Sequence, residues 1–290
     1  MQIAIVGAGN VGTSLAVLLH AAGHQICGIA SRTEASAARA AARANAPYST
    51  NPALFTPLAD LIFITTPDRA ISEVCDQIAT QGGFNAQSIV AHTSGAHSSA
   101  ILASAAQHNA YPISFHPLQT FANPDAGMKN LPGSFITIEG HEDALPAARQ
   151  LVDDLNCKLL EIPTEGKELY HAAACIACNY FTTLIDAALN VMEAAGVKKE
   201  DGLPALYPLI AGTLKNISQV GTVSALTGPI ARGDTQTVAA HLTKMDKQIP
   251  ELIPLYNLLG QTTVDVATAK GTLGTQERRN LLKILGGEEE

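Results

Sequence analysis

The chain has 290 residues, 47% of them hydrophobic and 15% charged, which is enough for one large or two modest domains with a substantial core. Its formal net charge of −8, with no run of lysine or arginine, argues against a nucleic-acid-binding surface. The first residues already have the pattern of a strand and a turn, so we expect no signal peptide and a cytoplasmic protein.

Local patterns also argue against a membrane protein and a metal protein. The most apolar stretch, residues 172–188, contains Asn179 and Asp186, so we expect no membrane span. The five cysteines are an odd number, and Cys175 and Cys178 lie in a helical pattern without a second pair. We expect buried, reduced thiols and no metal site.

The first dozen residues carry the clearest functional pattern. A β-branched run meets a glycine-rich turn, which opens into a helical pattern over residues 13–22. In such a turn the first glycine permits the tight bend, the second admits a pyrophosphate, and the third lets the helix pack closely on the strand. The pattern predicts a dinucleotide site at the helix N-terminus, formed by Gly7, Gly9, Asn10, Val11 and Gly12.

Strands and helices then alternate. We predict strands at residues 24–30, 60–65, 88–92, 111–115, 134–139 and 158–162, and helices at 34–44, 96–107 and 143–155, with another that ends at 78. This alternation is typical of βαβ units, and it predicts an α/β fold with a doubly wound, mainly parallel sheet.

The character of the sequence changes near Pro163. No convincing strand follows, and helical patterns cover about residues 165–195, 203–220, 235–245, 249–270 and 276–285. We therefore predict a Rossmann domain at residues 1–162, an all-helical domain at 163–285, and a frayed acidic tail at 286–290.

The end of the second predicted strand indicates the nucleotide. A carboxylate usually binds the ribose diol of NAD there, but this chain has Ser31, Arg32 and Thr33. Hydroxyl groups and a guanidinium suit a 2′-phosphate, so we predict NADP with Ser31 and Arg32 as ligands. The alternative is that Arg32 is an ordinary solvated residue. Glu34 in the next helix leaves NAD as the alternative cofactor.

Three later strands end in polar segments. Because ligands bind beyond the carboxyl ends of the strands in open α/β sheets, we place the following residues at the cofactor: Thr66, Pro67, Asp68, His92 and Ser94. Asp68 and Ser94 are also candidates for helix caps, and His92 for a buried structural histidine. His116 precedes a proline that holds its backbone extended, so we expect it, with Ser94, to contact the substrate or the nicotinamide.

The long helix after Pro163 carries a polar stripe. Lys167, His171, Cys175 and Asn179 recur at every fourth position among small and apolar residues, which places them along one slowly drifting helix face. Such groups are costly unless a polar ligand meets them, so we expect a substrate with a carbonyl and a carboxylate here. Solvated or structural roles are the alternative.

A glycine- and proline-rich loop at residues 227–234 supplies a second signal. Arg232 in this rigid turn suits a clamp for a carboxylate or a phosphate. Asp234 is expected to cap the helix that begins at Thr235.

Five motifs in order cover nearly the whole chain: Gly7–Gly12, His92–Gly95, Phe115–Gln119, Lys167 with Tyr170, His171 and Asn179, and Thr227–Pro229 with Arg232–Asp234. Through them the chain resembles the Rossmann-like proteins with a C-terminal domain of unknown function, which are grouped with deazaflavin-dependent NADP oxidoreductases and pyrroline-carboxylate reductases. The resemblance implies an NADP-binding domain, a helical domain similar to that of phosphogluconate dehydrogenase, and a homodimer formed through the helices.

The resemblance also implies an activity. Some relatives are regarded as alternative ketopantoate reductases. In ordinary ketopantoate reductase and in phosphogluconate dehydrogenase, a lysine near the start of this helix donates a proton, with an asparagine one turn later. Lys167 matches the lysine, but His171 stands one turn later and Asn179 two. The pair His116–Pro117 resembles a histidine–proline pair of prephenate dehydrogenase, which acts on a different class of substrate.

We therefore expect an NADPH-dependent reductase of a small, ketopantoate-like 2-oxo acid. Lys167 is the first candidate for the acid and His171 the second; Ser94, His116 and Asn179 would orient the carbonyl, and Arg232 would hold the carboxylate. Two alternatives stay open: an imine or cyclic dienol acid as substrate, similar to pyrroline carboxylate or prephenate, and a non-catalytic NADP-binding sensor or scaffold. The grouping also leaves a deazaflavin partner open.

Overall fold

The computed structural model describes residues 1–287, and its N-terminal part contains an eight-stranded sheet of order β3-β2-β1-β4-β5-β6-β7-β8. Neighbouring strands are parallel except β6 and β7, which are antiparallel. The first six strands have the order of a doubly wound Rossmann sheet, which confirms the predicted fold class. The strands are β1 Gln2–Val6, β2 Gln25–Ala30, β3 Tyr48–Ser49, β4 Leu61–Ile64, β5 Ile89–His92, β6 Tyr111–Leu118, β7 Phe135–Gly140 and β8 Lys158–Glu161.

Helices cover both faces of the sheet and make up the C-terminal part. The α-helices are α1 Asn10–Ala21, α2 Glu34–Ala44, α3 Ile71–Thr80, α4 Ala103–Gln107, α5 Pro124–Asn130, α6 Leu145–Asp154, α7 Lys167–Ala174, α8 Phe181–Ala194, α9 Lys199–Ala225, α10 Thr235–Gln248, α11 Ile253–Lys270 and α12 Thr275–Ile284. Two apolar clusters, one on each face, bury every residue of β4, which explains the continuous apolar run of that strand.

The predicted helix at residues 96–107 is wrong over its first half. A 3₁₀ turn at Ser99–Leu102 and the short α4 replace it. The buried carboxylate of Glu139 accepts hydrogen bonds from the Ser99 backbone nitrogen at 2.7 Å and from its hydroxyl at 2.9 Å. These bonds hold the preceding segment against β7, so a regular helix begins only at Ala103.

The long helix after Pro163 is interrupted. Between α7 and α8, the residues Cys175–Tyr180 form a π-helix, in which hydrogen bonds close at i→i+5. The predicted four-residue stripe therefore ends within this segment, because Asn179 is no longer one regular α-turn beyond Cys175. All five cysteines are unpaired, but the expectation of buried thiols holds only for Cys27 and Cys75. Cys157 and Cys175 are half-buried, and Cys178 is exposed in the π-helical segment, which contains no buried residue.

The chain divides into two compact units, Met1–Ala177 and Cys178–Glu290. The division lies within the long helix, and the predicted domain limits at residues 162/163 and 285/286 stay a prediction. The second unit has its own core, which includes Val238, Val264 and Leu281. Gly286 and Gly287 donate backbone hydrogen bonds to the last turn of α12, so this part of the predicted frayed tail is ordered, and Glu288–Glu290 lie outside the described residues.

One segment is more apolar than expected. Residues Thr164–Ala194 are long and apolar enough to cross a membrane by length and composition, with a mean hydropathy of 1.4 over an 18-residue window, none of it buried. Asn179 and Asp186 lie within this segment, and the expectation that it does not span a membrane stays a prediction. Leu169, Ile176 and Tyr180 are among its exposed side chains.

Candidate functional site

The glycine-rich turn between β1 and α1 has the geometry of a phosphate cradle. Gly7 has φ +118°, and a Cβ on Gly12 would lie 2.0 Å from the Gly7 carbonyl oxygen, so both positions require glycine. A Cβ on Gly9 would meet nothing within 4 Å, and no side chain caps α1. The open side of Gly9 and the uncapped helix N-terminus fit an approaching pyrophosphate.

Asn10 and Val11 contribute differently from the glycines. The Asn10 side-chain nitrogen donates to the carbonyl oxygens of Phe121 at 2.8 Å and Ala122 at 3.2 Å, so this amide holds the loop before α5. Val11 packs against the core. Only the backbone of these residues is well placed for a phosphate, and their predicted contact with the cofactor stays a prediction.

The loop after β4 adds an unpaired hydroxyl. The Thr66 Oγ1 is buried and has no hydrogen-bond partner among residues 1–287, which is unfavourable unless a ligand supplies one. Pro67 ends this extended segment, and a 3₁₀ turn, Asp68–Ala70, follows. The prediction that Asp68 caps a helix is wrong: its side chain makes no cap hydrogen bond, and α3 begins only at Ile71.

Cationic and hydroxyl groups surround the end of β2. Arg32 is exposed and forms no ion pair with another residue of 1–287. Thr33 caps α2 by accepting from the Ser36 nitrogen. The Arg39 guanidinium donates to the Ser36 hydroxyl at 3.2 Å, which brings a second cation near the start of α2 that the sequence analysis did not single out. Ser31 pairs through its backbone with Ser49.

His92 and Ser94 shape the turn after β5. The His92 Nδ1 accepts from the Ser94 nitrogen at 3.1 Å, and Nε2 lies 3.1 Å from the Ser98 carbonyl oxygen. Both ring nitrogens are used, and burial, together with the Lys167 charge, lowers the pKa of this neutral imidazole to about 4. The Ser94 hydroxyl accepts from the nitrogens of Ala96 and His97. The structure thus shows that His92 and Ser94 stabilise the turn after β5. Direct contacts of these two residues with a ligand stay a prediction.

Lys167 is fully buried at the start of α7. Its Nζ donates to the Ser114 hydroxyl on β6 at 2.7 Å and lies 5.5 Å from the centre of the Tyr170 ring. Burial lowers the pKa of the ammonium to about 8, and the Glu139 carboxylate partly opposes this. An ammonium has three donors, so a buried group with one hydrogen-bond partner among residues 1–287 can also bind an incoming oxygen and give it a proton.

His116 stands beside this lysine in a hydrogen-bonded chain. Its Nδ1 lies 2.8 Å from the Tyr170 hydroxyl, which accepts from Thr137 Oγ1 at 2.7 Å. Thr137 on β7 is directly opposite His116 in the antiparallel register. Burial lowers the pKa of His116 to about 3, and the nearby Lys167 charge adds to this, so the imidazole is neutral at pH 7.

His171 completes the cluster. Its Nδ1 is buried without a partner among residues 1–287, and its Nε2 lies 3.6 Å from the Cys175 sulfur. Gly95, in the turn after β5, lets both histidine rings pack closely against it, because a Cβ there would lie 2.7 Å from His171 Nδ1 and 2.8 Å from His116 Nε2. The N-terminal unit therefore brings Lys167, His116 and His171 together, and their catalytic roles stay a prediction.

Two predicted site residues belong to the second unit, and both are exposed. Asn179 lies in the π-helical segment and Arg232 ends a 3₁₀ turn, so their contacts with substrate stay a prediction. Asp234 caps α10 by accepting from the Thr237 nitrogen at 3.0 Å, which confirms that expectation.

Four residues of the cluster had no predicted role: Gly95, Ser114, Thr137 and Tyr170. Tyr170 follows Lys167 by three positions, a spacing that puts both on one helix face and was a usable signal. Thr137 gives no such signal, because its position depends on the direction of β7.

The family models agree with this architecture. One for a Rossmann-like domain matches residues 1–117, and one for a domain of unknown function, DUF2520, matches residues 134–263. The N-terminal part of the chain thus matches a Rossmann-like domain, and most of the remainder matches a DUF2520 domain. No curated protein matches it.

Solved structures share the fold of this protein. A Bacteroides fragilis protein named as an NADP oxidoreductase has a TM-score of 0.72 at 25% identity, covering 91% of this chain and 98% of its own. Protein TM1727 from Thermotoga maritima has a TM-score of 0.73 at 24% identity, covering 93% and 99%. An imine reductase from Myxococcus stipitatus, in complex with NADP⁺, has a TM-score of 0.64 at 14% identity, covering 97% and 100%. The fold is thus one that NADP oxidoreductases use.

Proposed function

We propose that this protein is an NADP-dependent oxidoreductase that reduces a small 2-oxo acid, with ketopantoate as the first substrate to test. The observation that carries the proposal is the buried Lys167 ammonium, whose lowered pKa of about 8 suits a proton donor near neutral pH. The neutral imidazole of His116 and the His171 ring lie near it, and the phosphate cradle lies in the same compact unit.

The residues at the cradle fit a dinucleotide. Gly9 offers an open backbone surface, Thr66 has an unpaired buried hydroxyl, and the exposed Arg32 supports a preference for a 2′-phosphate. NADPH, when bound, supplies the hydride for the reduction. The similar structure from Bacteroides fragilis, at 25% identity, is named as an NADP oxidoreductase, which supports the same cofactor.

Lys167 would provide the proton. As the carbonyl carbon gains a hydride, its oxygen becomes an alkoxide; the ammonium gives one proton to that oxygen and becomes an amine, which solvent protonates again. The products are the 2-hydroxy acid and oxidised cofactor. The Ser114 hydroxyl holds Nζ in place and can accept from the ammonium or donate to the amine.

Charge favours an oxo acid over an imine. A protonated imine would bring a second cation next to the buried ammonium, whereas a carboxylate and a developing alkoxide are attracted to it. We expect Ser94 and Asn179 to orient the carbonyl and Arg232 to hold the carboxylate, as the sequence motifs imply. A pyrroline-carboxylate-like or prephenate-like substrate is the alternative.

The decisive assay follows NADPH oxidation with a panel of small acids. Ketopantoate and other branched 2-oxo acids should be reduced, while pyrroline carboxylate and an amine-plus-carbonyl mixture should not. Turnover of the imines alone, or oxidation of prephenate with NADP⁺, would overturn the substrate class. Tight NADPH binding without turnover on any member would indicate a sensor or scaffold.

A homodimer is part of the proposal. Exposed large apolar side chains recur along α7–α9, among them Leu169, Tyr207 and Leu209 at 78%, 66% and 67% exposure, which is unusual for a monomer in water. A second copy of the chain would bury such a face in a closed two-fold assembly. The unpaired cysteines support a cytoplasmic location.

A further inference from the structure

A buried carboxylate and a buried amine lie close together in the N-terminal unit. Of the Asp, Glu, Lys and Arg side chains within residues 1–287, only Glu139 and Lys167 are buried, with 4% and 0% exposure. Lys167 Nζ is bonded to the Ser114 hydroxyl on β6, and Ser114 is directly opposite Glu139 in the antiparallel pairing of β6 with β7. Side chains at opposite positions stand on one face of a sheet, so the carboxylate and the ammonium lie on the same face of this strand pair.

The Glu139 carboxylate also holds the start of α7. Its Oε1 accepts from the Ser99 nitrogen at 2.7 Å, and its Oε2 accepts from the hydroxyls of Ser99 at 2.9 Å and Thr164 at 3.0 Å. Thr164 begins the 3₁₀ turn that leads directly into α7 at Lys167. One carboxylate therefore connects β7, the turn before α4 and the helix start that carries the lysine. Three donors on its two oxygens favour the ionised form.

Other groups near the lysine do not supply a buried negative charge. The titratable side chains near Lys167 on other elements and on its own helix are His92 on β5, His116 on β6, and Tyr170 and His171 on α7. The lowered pKa values of His92 and His116, about 4 and about 3, leave both rings neutral at pH 7, and burial raises the pKa of the Tyr170 hydroxyl. The carboxylates of the adjoining segments are exposed, where water and salt screen them: Asp68, Glu165 and Glu168.

The two buried charges act on each other without a direct ion pair. Within residues 1–287 no Lys167 nitrogen lies within 4 Å of a Glu139 oxygen, because Nζ is bonded to Ser114 instead. In a buried region of low dielectric, charges attract over longer separations than in water. The carboxylate accordingly raises the pKa of Lys167 against the larger effect of burial, which leaves it at about 8. The other donors of the ammonium stay available to a ligand.

We propose that Glu139 is a positioning residue for the proton donor: its buried carboxylate keeps the Lys167 amine charged and holds the start of α7 against β7. A lysine buried without a counter-charge loses its proton more readily and then has none to give to an alkoxide. The service to a proton donor rests on the proposed function, whereas the coupling between the two buried charges does not.

Glu139→Gln removes the charge and can keep every hydrogen bond. Its amide oxygen can accept from the Ser99 nitrogen, and its two N–H groups can donate to the Ser99 and Thr164 hydroxyls, which accept as well as donate. We expect the pKa of Lys167 to fall by about 1 unit in this variant. The measurement is a pH titration by ¹³C NMR of lysine-labelled protein, following the Cε signal that Lys167→Met removes.

Two control variants separate charge from structure. Thr164→Val removes one hydrogen bond of the carboxylate and keeps its charge, so the pKa of Lys167 should stay at about 8. Glu161→Gln removes an exposed carboxylate that pairs with Arg149, and it should have no effect on Lys167. Equal Lys167 pKa values in the wild type and Glu139→Gln would overturn the proposal, and so would an equal fall in Thr164→Val and Glu139→Gln.

Loss of stability in Glu139→Gln is informative as well. If the variant is destabilised because its buried ammonium lacks a counter-charge, replacing the lysine removes that cost. In urea unfolding at pH 7, adding Glu139→Gln to Lys167→Met should therefore destabilise the protein less than adding Glu139→Gln to the wild type. Equal losses in the two backgrounds would show that the carboxylate acts on the fold alone, and would overturn the proposal.

Activity distinguishes this proposal from the proposed function. The kcat/KM of Glu139→Gln for a 2-oxo acid should begin to fall at a pH about 1 unit lower than that of the wild type. If the pKa of Lys167 falls in the variant but no 2-oxo acid is reduced by the wild type, the charge coupling stands and the proposed activity is wrong. If both proteins reduce a 2-oxo acid with the same alkaline limb, the activity stands and the role of Glu139 is wrong.

Discussion

Lys167→Met probes the buried ammonium directly. Burial lowers the pKa of Lys167 from the usual 10.5 to about 8, and each pKa unit corresponds to about 1.4 kcal/mol, so the charged form costs the fold about 3 kcal/mol. Below pH 8 the lysine is charged in both the folded and the unfolded chain, and this cost is fully present. Between pH 8 and 10.5 the unfolded chain binds more protons, so the free energy of unfolding of the wild type rises with pH relative to the variant.

The assay is urea unfolding of both proteins at pH 7.5, 9 and 10.5. The difference in unfolding free energy should move by about 3 kcal/mol in favour of the wild type over this range. Leaving the buried Ser114 hydroxyl without Lys167 costs the variant about 1–3 kcal/mol, but this amount is the same at every pH. Lys129→Met, at an exposed lysine, is the control and should give a constant difference. A constant difference for Lys167→Met as well would refute the buried, perturbed ammonium.

Catalysis should report the same ionisation. If Lys167 is the acid, kcat/KM for reduction falls tenfold per pH unit above about 8, and Lys167→Met lowers turnover by about 10²–10⁴ with little change in NADPH affinity. A rate that stays level to pH 10 would exclude this lysine as the proton donor.

Three further outcomes are expected. Gly12→Ala should lower the melting temperature by several degrees, because its Cβ would lie 2.0 Å from the Gly7 oxygen. Gly9→Ala should leave the melting temperature unchanged and weaken NADPH binding, as measured by a fluorescence titration. Arg32→Gln should raise the NADPH Kd about 10–100-fold and leave the NADH Kd unchanged, and equal effects would argue against a 2′-phosphate contact. Leu209→Glu should lower the mass measured by light scattering from dimer to monomer; an unchanged mass would place the interface elsewhere.

The cradle could be predicted from the sequence because its requirements are local. A tight turn, an open backbone and a closely packed helix each require glycine at a fixed spacing, and Gly7, Gly9 and Gly12 meet these requirements in the structure. Lys167 and His116 are likewise predicted from local features: a polar residue on an apolar helix and a histidine held before a proline.

The parts that were missed depend on non-local pairing. Residues 119–134 between β6 and β7 include α5, and a connection of this length is typical of a parallel crossover. The strands instead pair antiparallel, which puts Thr137 opposite His116. A recurrence at every fourth residue does not reveal the π-helix at Cys175–Tyr180. The sequence therefore predicts a polar stripe that continues to Asn179, although the regular α-helical spacing ends before that residue.

The antiparallel pair has a chemical consequence. Thr137 and His116 lie directly across from each other, so their side chains stand on one face of the sheet, close enough for a single tyrosine hydroxyl to bond to both. α7 begins over the same strand, since Lys167 is bonded to Ser114, two residues before His116. One turn of helix over one strand pair thus brings a buried ammonium close to a neutral histidine, and the chemistry proposed for this site depends on that local arrangement.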